Sequence, residues 1–151
     1  MDIEFEVAQE QELSQLIQLL IDDHLGAKRE SRETSMDNYR RAFKAIDEDP
    51  NNELIVAKDD SNVAALLQLT YLPSLTYQGA WRCQVEGVRV AADYRSQGLG
   101  KKLFQWSIQR AEAKGCKIIQ LTSDKGRPDA IRFYESLGFK ASHEGMKLHL
   151  K

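Results

Sequence analysis

Along this chain the spacing of apolar residues changes repeatedly, and each change marks an element. Ile3, Phe5 and Val7 alternate with acidic residues, as in a strand with one buried face. Leu13, Leu16, Ile17, Leu20 and Ile21 then recur at three- and four-residue intervals, which predicts a helix stopped by Gly26. A charged run, Lys28 to Glu33, reads as a solvated loop, and a weaker helix is expected over Met36 to Asp47. After the turn Asp49-Pro50-Asn51-Asn52, the runs Glu53 to Ala57, Val63 to Tyr71 and Trp81 to Val90 read as strands of an antiparallel meander.

The longest amphipathic stretch, Gly98 to Lys114, carries Leu99, Leu103, Phe104, Ser107, Ile108 and Ala111 on one stripe, with Gly115 as its stop. Ile118, Ile119 and Leu121 mark a short buried strand. Pro128 and Gly138 bracket a further helix, and a last strand is expected from about Met146 to Leu150. This order implies an α/β (or α+β) fold, a mixed sheet with helices packed on it.

A length of 151 residues suits one domain, 1–151, and 42% hydrophobic with 29% charged residues excludes a disordered tail or a fibrous rod. The formal net charge of −2 gives no global attraction to nucleic acid or to an anionic membrane. Cys83 and Cys116 lack metal or redox spacing and His residues are few, so no metal site is expected and both thiols are expected to be reduced core residues. The N-terminus lacks the pattern of a secretory signal and no run approaches the length of a membrane span, so cytoplasmic residence is the expectation.

The chemistry concentrates between Val85 and Phe139. A strand through Glu86, Val88 and Val90 leads by way of Ala91 to Tyr94 into Arg95-Ser96-Gln97-Gly98-Leu99-Gly100-Lys101-Lys102, which opens the long helix. Such a strand, glycine-containing loop and helix start can form an anion site. Unpaired N–H groups converge there, the macrodipole is positive, and glycine admits close backbone approach. A Walker loop is excluded because Arg95 and Lys102 stand where glycine and Ser or Thr are required. The dinucleotide fingerprint lacks its third glycine, at Leu103.

These residues resemble the GNAT superfamily of acetyl-CoA-dependent N-acetyltransferases. Arg95-x-x-Gly98-x-Gly100 is similar to that family's pyrophosphate loop, and Ala130 to Phe139, with Phe133-Tyr134-Glu135 and Gly138-Phe139, is similar to its A-x-x-F-Y-E-x-x-G-F segment. The resemblance implies a mostly antiparallel sheet splayed near its centre and flanked by about four helices. It implies acetyl-CoA as co-substrate, with the pantetheine arm on the main chain of Val88 and Val90 in the manner of strand addition, across a bulge. It also implies the pyrophosphate on the loop from Arg95 through Gln97, Gly98, Leu99, Gly100 and Lys101 to Lys102. Arg127 is a candidate for the 3′-phosphate. Ser123 stands where many members carry an Asn that bonds the cofactor arm.

The reaction asks for a base first. A lysine-like amine, with a pKa of about 10.4, leaves on the order of one molecule in a thousand uncharged at neutral pH, a cost of about 4 kcal/mol. Glu86, reckoned to share strand parity with Val88 and Val90, resembles the family's acidic base. The thiol of CoA leaves more readily, and Tyr134 matches the tyrosine that protonates it. His24, Tyr71, Tyr77, Arg82 and His143 are candidates to border the acceptor pocket. The expected acceptor is a small-molecule amine or a peptide amine. A homodimer is also expected, from the resemblance, with Tyr77, Trp81 and Trp106 as aromatic surface. The rival reading is a catalytically degenerate acyl-CoA-binding sensor or interaction module; retention of both Glu86 and Tyr134 argues for the enzyme.

Overall fold

The computed structural model describes residues 2–22, 30 and 36–150. The chain divides into two compact units, residues 1–120 and 121–151. In the first, β1 (Ile3–Val7), α1 (Leu13–Ile21), α2 (Met36–Glu48), β2 (Asn52–Asp59), β3 (Asn62–Leu72), β4 (Arg82–Val90), α3 (Leu99–Ala113) and β5 (Ile118–Gln120) follow in order. In the second, α4 (Pro128–Ser136) is the one regular element among the described residues. The Gly26 stop and most of the charged run from Lys28 lie outside the described residues. No described helix is long and apolar enough to cross a membrane.

The five strands lie in the order β1-β2-β3-β4-β5. Each of the first three pairs is antiparallel, and β5 joins β4 in parallel. Strand alternation assigns the sheet's two faces. Ile55, Leu67, Leu69, Cys83 and Val85 point to one face and are buried; Leu103 and Phe104 of α3 are buried as well. On that face Glu53 accepts from Arg110 Nε at 2.7 Å and from the Tyr71 hydroxyl at 2.6 Å, which ties α3 to the strands. Burial alone would raise the Glu53 carboxyl, but the bonds from Arg110 and Tyr71 outweigh it and hold it below the usual range. Val56 and Leu66 point to the other face and cluster with Leu13, Leu16 and Ile17 of α1 and Phe43 of α2. Both cysteines are buried and free, and burial, followed by the charge of Cys116, pushes the Cys83 thiol up to about 12.

Two expectations change. Met146–Leu150 forms no strand: alternation specifies a face to be buried, but a strand also needs a neighbour for its N–H and C=O groups, and no described segment pairs with it. Met146, Leu148 and Leu150 are 93%, 86% and 89% exposed. In β4 the expected bulge is present, and the second change is the phase it imposes on the strand. From Leu66 to Gln68 β3 advances two residues while the facing β4 advances three, from Arg89 back to Glu86. The extra residue is a bulge, and Gly87 with φ +63° supplies the left-handed backbone it uses.

Candidate active site

The bulge corrects the parity assigned to Glu86. Gln68 faces Glu86 but Ala65 faces Val90, so the extra residue turns Val90 to the face opposite Glu86. The physical cause was visible as a glycine inside a strand pattern. A role for Val88 and Val90 through the main chain does not depend on that parity.

On its far side β4 is paired only at Arg82, Cys83 and Gln84, opposite Ile118, Ile119 and Gln120. Beyond Gln84 the main chain, including Val88 and Val90, has no strand partner on that side among the described residues. This is the opening where the sheet was expected to splay. An extended amide-bearing ligand could continue the sheet there by main-chain hydrogen bonds.

The strand continues through a short 3-10 turn, Ala92–Tyr94, into the loop that starts α3. Gly98, with φ +80°, is the residue before the helix, and no side chain caps it. The first helical hydrogen bond runs from Lys102 N–H to the Gly98 carbonyl at 3.2 Å. The N–H groups of Leu99, Gly100 and Lys101 therefore stand at the helix start without an intrahelical acceptor. Arg95 donates from Nε to the Val90 carbonyl at 3.0 Å, and the Gln97 amide donates to the Asp93 carbonyl at 2.9 Å, so two side chains of the loop brace its own backbone. Lys101 and Lys102 are exposed. Amides, macrodipole and two cations together favour an anion at this point.

Glu86 is exposed and accepts from Gln84 Nε2 at 2.6 Å. Gln84 lies in a polar row whose members come from four strands. Asn52, Thr70, Gln84 and Gln120 are paired rung to rung across β2, β3, β4 and β5, on the same face as Glu86. Thr70 Oγ1 donates to Asn52 at 2.7 Å, and Gln120 Nε2 donates to Gln84 at 3.1 Å. The available signal was polar residues at alternate positions of strands whose other positions are apolar.

In the second unit, the Phe133-Tyr134-Glu135 segment has a clear local logic. Gly138, at φ +100°, ends α4 in a Schellman arrangement: Phe139 N–H bonds the Tyr134 carbonyl at 3.1 Å and Gly138 N–H bonds the Glu135 carbonyl at 3.0 Å. The Tyr134 ring meets Phe139 edge-on at 6.1 Å and Phe133 at 5.5 Å. These contacts hold a half-buried tyrosine in a fixed direction. Ser123 and Arg127 are half-buried in the same unit, and Arg127 is the residue before α4.

Among the residues considered for the acceptor, Tyr71 is 2% exposed and held by Glu53 on the α3 face, so it is a packing residue. Tyr77 is 63% exposed, in a turn at φ +51°, with the Arg82 guanidinium 5.2 Å from its ring centre. His143 is exposed and bonds Ser142, and His24 lies outside the described residues. A cavity of about 290 Å³ between α2 and β2, lined by Phe43, Ile46, Asp47 and Leu54 among others, touches no residue of β4.

Residues 13–139 match the family described as "Acetyltransferase (GNAT) family". A solved structure from Bacillus halodurans C-125, described as a transcriptional regulator, is 52% identical with a TM-score of 0.94, covering 99% of this chain and 100% of that one. The aminoalkylphosphonate N-acetyltransferase of Salmonella typhimurium is 28% identical over 105 residues, which are 70% of this chain and 68% of the relative. The glucosamine 6-phosphate N-acetyltransferase of Trypanosoma brucei brucei is 39% identical over 79 residues, about half of each protein at 52% and 51%. A sheet open beside a bulged β4, an uncapped glycine-preceded helix start, and a family match across most of the length agree: this chain belongs to the GNAT family of acetyltransferases and is an N-acetyltransferase.

Proposed function

We propose that the protein transfers the acetyl group of acetyl-CoA directly to the amine of a small molecule, with no covalent enzyme intermediate. The observation that carries this reading is the run of β4 main chain beyond Gln84 with no strand partner on one side among the described residues, leading directly into the uncapped start of α3. The pantetheine arm bonds the main chain of Val88 and Val90. The pyrophosphate lies on the amides of Leu99 to Lys101, with Arg95, Gln97, Gly98 and Lys102 shaping and charging the loop. Ser123 and Arg127 are further cofactor-binding residues in this reading, assigned on the family resemblance alone. The family match spans residues 13–139 and so crosses both units, which supports one acetyltransferase domain over 1–151.

In the chemical step, Glu86 takes a proton from the ammonium, directly or through water. The neutral nitrogen then attacks the thioester carbonyl and gives up its second proton to solvent, the C–S bond breaks, and Tyr134 gives its proton to the departing sulfur and is reprotonated from solvent. The bond from Gln84 fixes one Glu86 oxygen and leaves the other open to a proton. The named curated relatives act on small amines, which favours a small-molecule acceptor over a peptide.

A second reading, in which the domain binds acyl-CoA and signals to a partner without turnover, is favoured by one observation: the 52% identical structure is described as a regulator. Thiol release from acetyl-CoA with a panel of amines separates the two. The enzyme releases thiol only when a suitable amine is present; binding of acetyl-CoA with no release across amino sugars, polyamines, amino acids and aminophosphonates supports the binder.

A further inference from the structure

On the Glu86 face of the sheet a carboxylate and a guanidinium stand at the two ends of one hydrogen-bonded chain. Glu86 accepts from Gln84 at 2.6 Å, Gln84 accepts from Gln120 at 3.1 Å, and Gln120 accepts from Arg82 at 3.4 Å. Glu86 and Arg82 are both on β4, two residues either side of Gln84, and both side chains lean toward the amides between them. The rung continues outward through Thr70 to Asn52. Apart from exposed Glu86, every member of the row is half-buried.

Arg82 is the unusual member. Its other hydrogen bond goes to the Thr76 hydroxyl at 2.6 Å and its plane lies by Tyr77, but no carboxylate pairs with it among the described residues, and its Nε is buried with no hydrogen-bond partner. Guanidinium forks suit carboxylate and phosphate oxygens, and a half-buried one bonded only to neutral groups retains most of that capacity. The neutral amides between the two charges can each donate and accept, as hydroxyl groups do.

From this row we infer that the acceptor is a small zwitterionic amine: its ammonium pairs with Glu86, an oxyanion at its other end pairs with Arg82, and polar groups between them bond the Gln84 and Gln120 amides. The inference rests on the acetyl-transfer reading, which identifies Glu86 as the end where the amine arrives. It assigns Arg82 as the residue that selects the acceptor. Asn52 and Thr70 hold the row in register and extend its floor.

The test compares matched acceptors, one with and one without the oxyanion: glucosamine 6-phosphate against glucosamine, 3-aminopropylphosphonate against propylamine, and 4-aminobutyrate against butylamine. Wild-type protein is expected to prefer at least one oxyanion-bearing member in kcat/KM by roughly 10- to 100-fold, the span of a charged hydrogen bond. The three pairs distinguish phosphate ester, phosphonate and carboxylate as its source. Arg82→Gln should reduce that preference to near one, chiefly through acceptor KM, and Arg82→Lys should restore part of it. Calorimetric titration with acetyl-CoA checks that each variant retains the fold. Equal use of every pair by wild type, or a preference that survives Arg82→Gln, overturns the inference. If no amine is acetylated, the transfer reading fails separately; direct titration of the same pairs then decides, an Arg82-dependent binding preference upholding the row and equal or absent binding overturning it.

Discussion

At the scale of single residues, proton transfers set the expected magnitudes. Deprotonating the amine is the larger obstacle, so Glu86→Gln should lower kcat/KM by about 10²–10⁴ while acetyl-CoA affinity holds. Glutamine can keep the bond from Gln84, so the variant removes the base without freeing the row. The loss should shrink as pH approaches the amine's own pKa, where free base is abundant without help. Tyr134→Phe removes a donor to a competent leaving group, and its cost should be about 10²-fold or less. The phenylalanine retains the edge contacts with Phe133 and Phe139, so folding should survive. A pH–rate profile of the three proteins with one accepted amine checks both; a Glu86→Gln profile like wild type would remove Glu86 from the mechanism.

At the scale of elements, the start of α3 makes a separable prediction. Gly100 lies in the first turn, among the amides proposed to hold the pyrophosphate. A valine there should weaken acetyl-CoA binding tenfold or more by calorimetry, with no helix-propensity cost because glycine is the poorer helix former. Unchanged affinity in the folded variant would move the pyrophosphate elsewhere. The link between β2 and α3 gives a second, on stability. Because Glu53 is held below its unfolded value of about 4.3, its contribution is present above that pH and is lost as pH falls through its lower folded value. Glu53→Gln should cost about 1–3 kcal/mol at neutral pH and flatten the acid limb of a denaturation series. An acid limb as steep as wild type would contradict this.

The elements also show what the sequence made legible. Hydrophobic period located β1 to β4 and the four helices because each has one face to bury, and Gly138 marked the end of α4 for the same reason it forms a Schellman turn. The bulge is implied by the resemblance, but the hydrophobic pattern does not give its phase: Gly87 leaves the apolar alternation readable on either side, and Val90 faces away from Glu86 rather than with it. The pattern also could not provide a partner for Met146–Leu150. The polar row escaped notice because Gln84 and Gln120 gain meaning only when β4 and β5 are known to be neighbours.

At the scale of the whole molecule, association through exposed apolar surface is the first expectation. In the second unit Met146, Leu148 and Leu150 are almost fully exposed; in the first, Tyr77 and Trp81 are exposed aromatics, whereas the Trp106 ring lies tilted against Phe5 at 6.0 Å. Burial of Met146, Leu148 and Leu150 against a second copy should give a dimeric mass in light scattering at micromolar concentration, falling to monomer when all three are replaced by serine. A monomeric mass for wild type would contradict it.

The proposed seat of acetyl-CoA is tested most directly by hydrogen exchange with and without the co-substrate. Main-chain bonding predicts slowed exchange at the amides of Val88 to Val90 and of Leu99 to Lys101, two stretches separated in sequence but joined by one ligand. Protection confined to other elements, or none at saturating acetyl-CoA, would contradict the account.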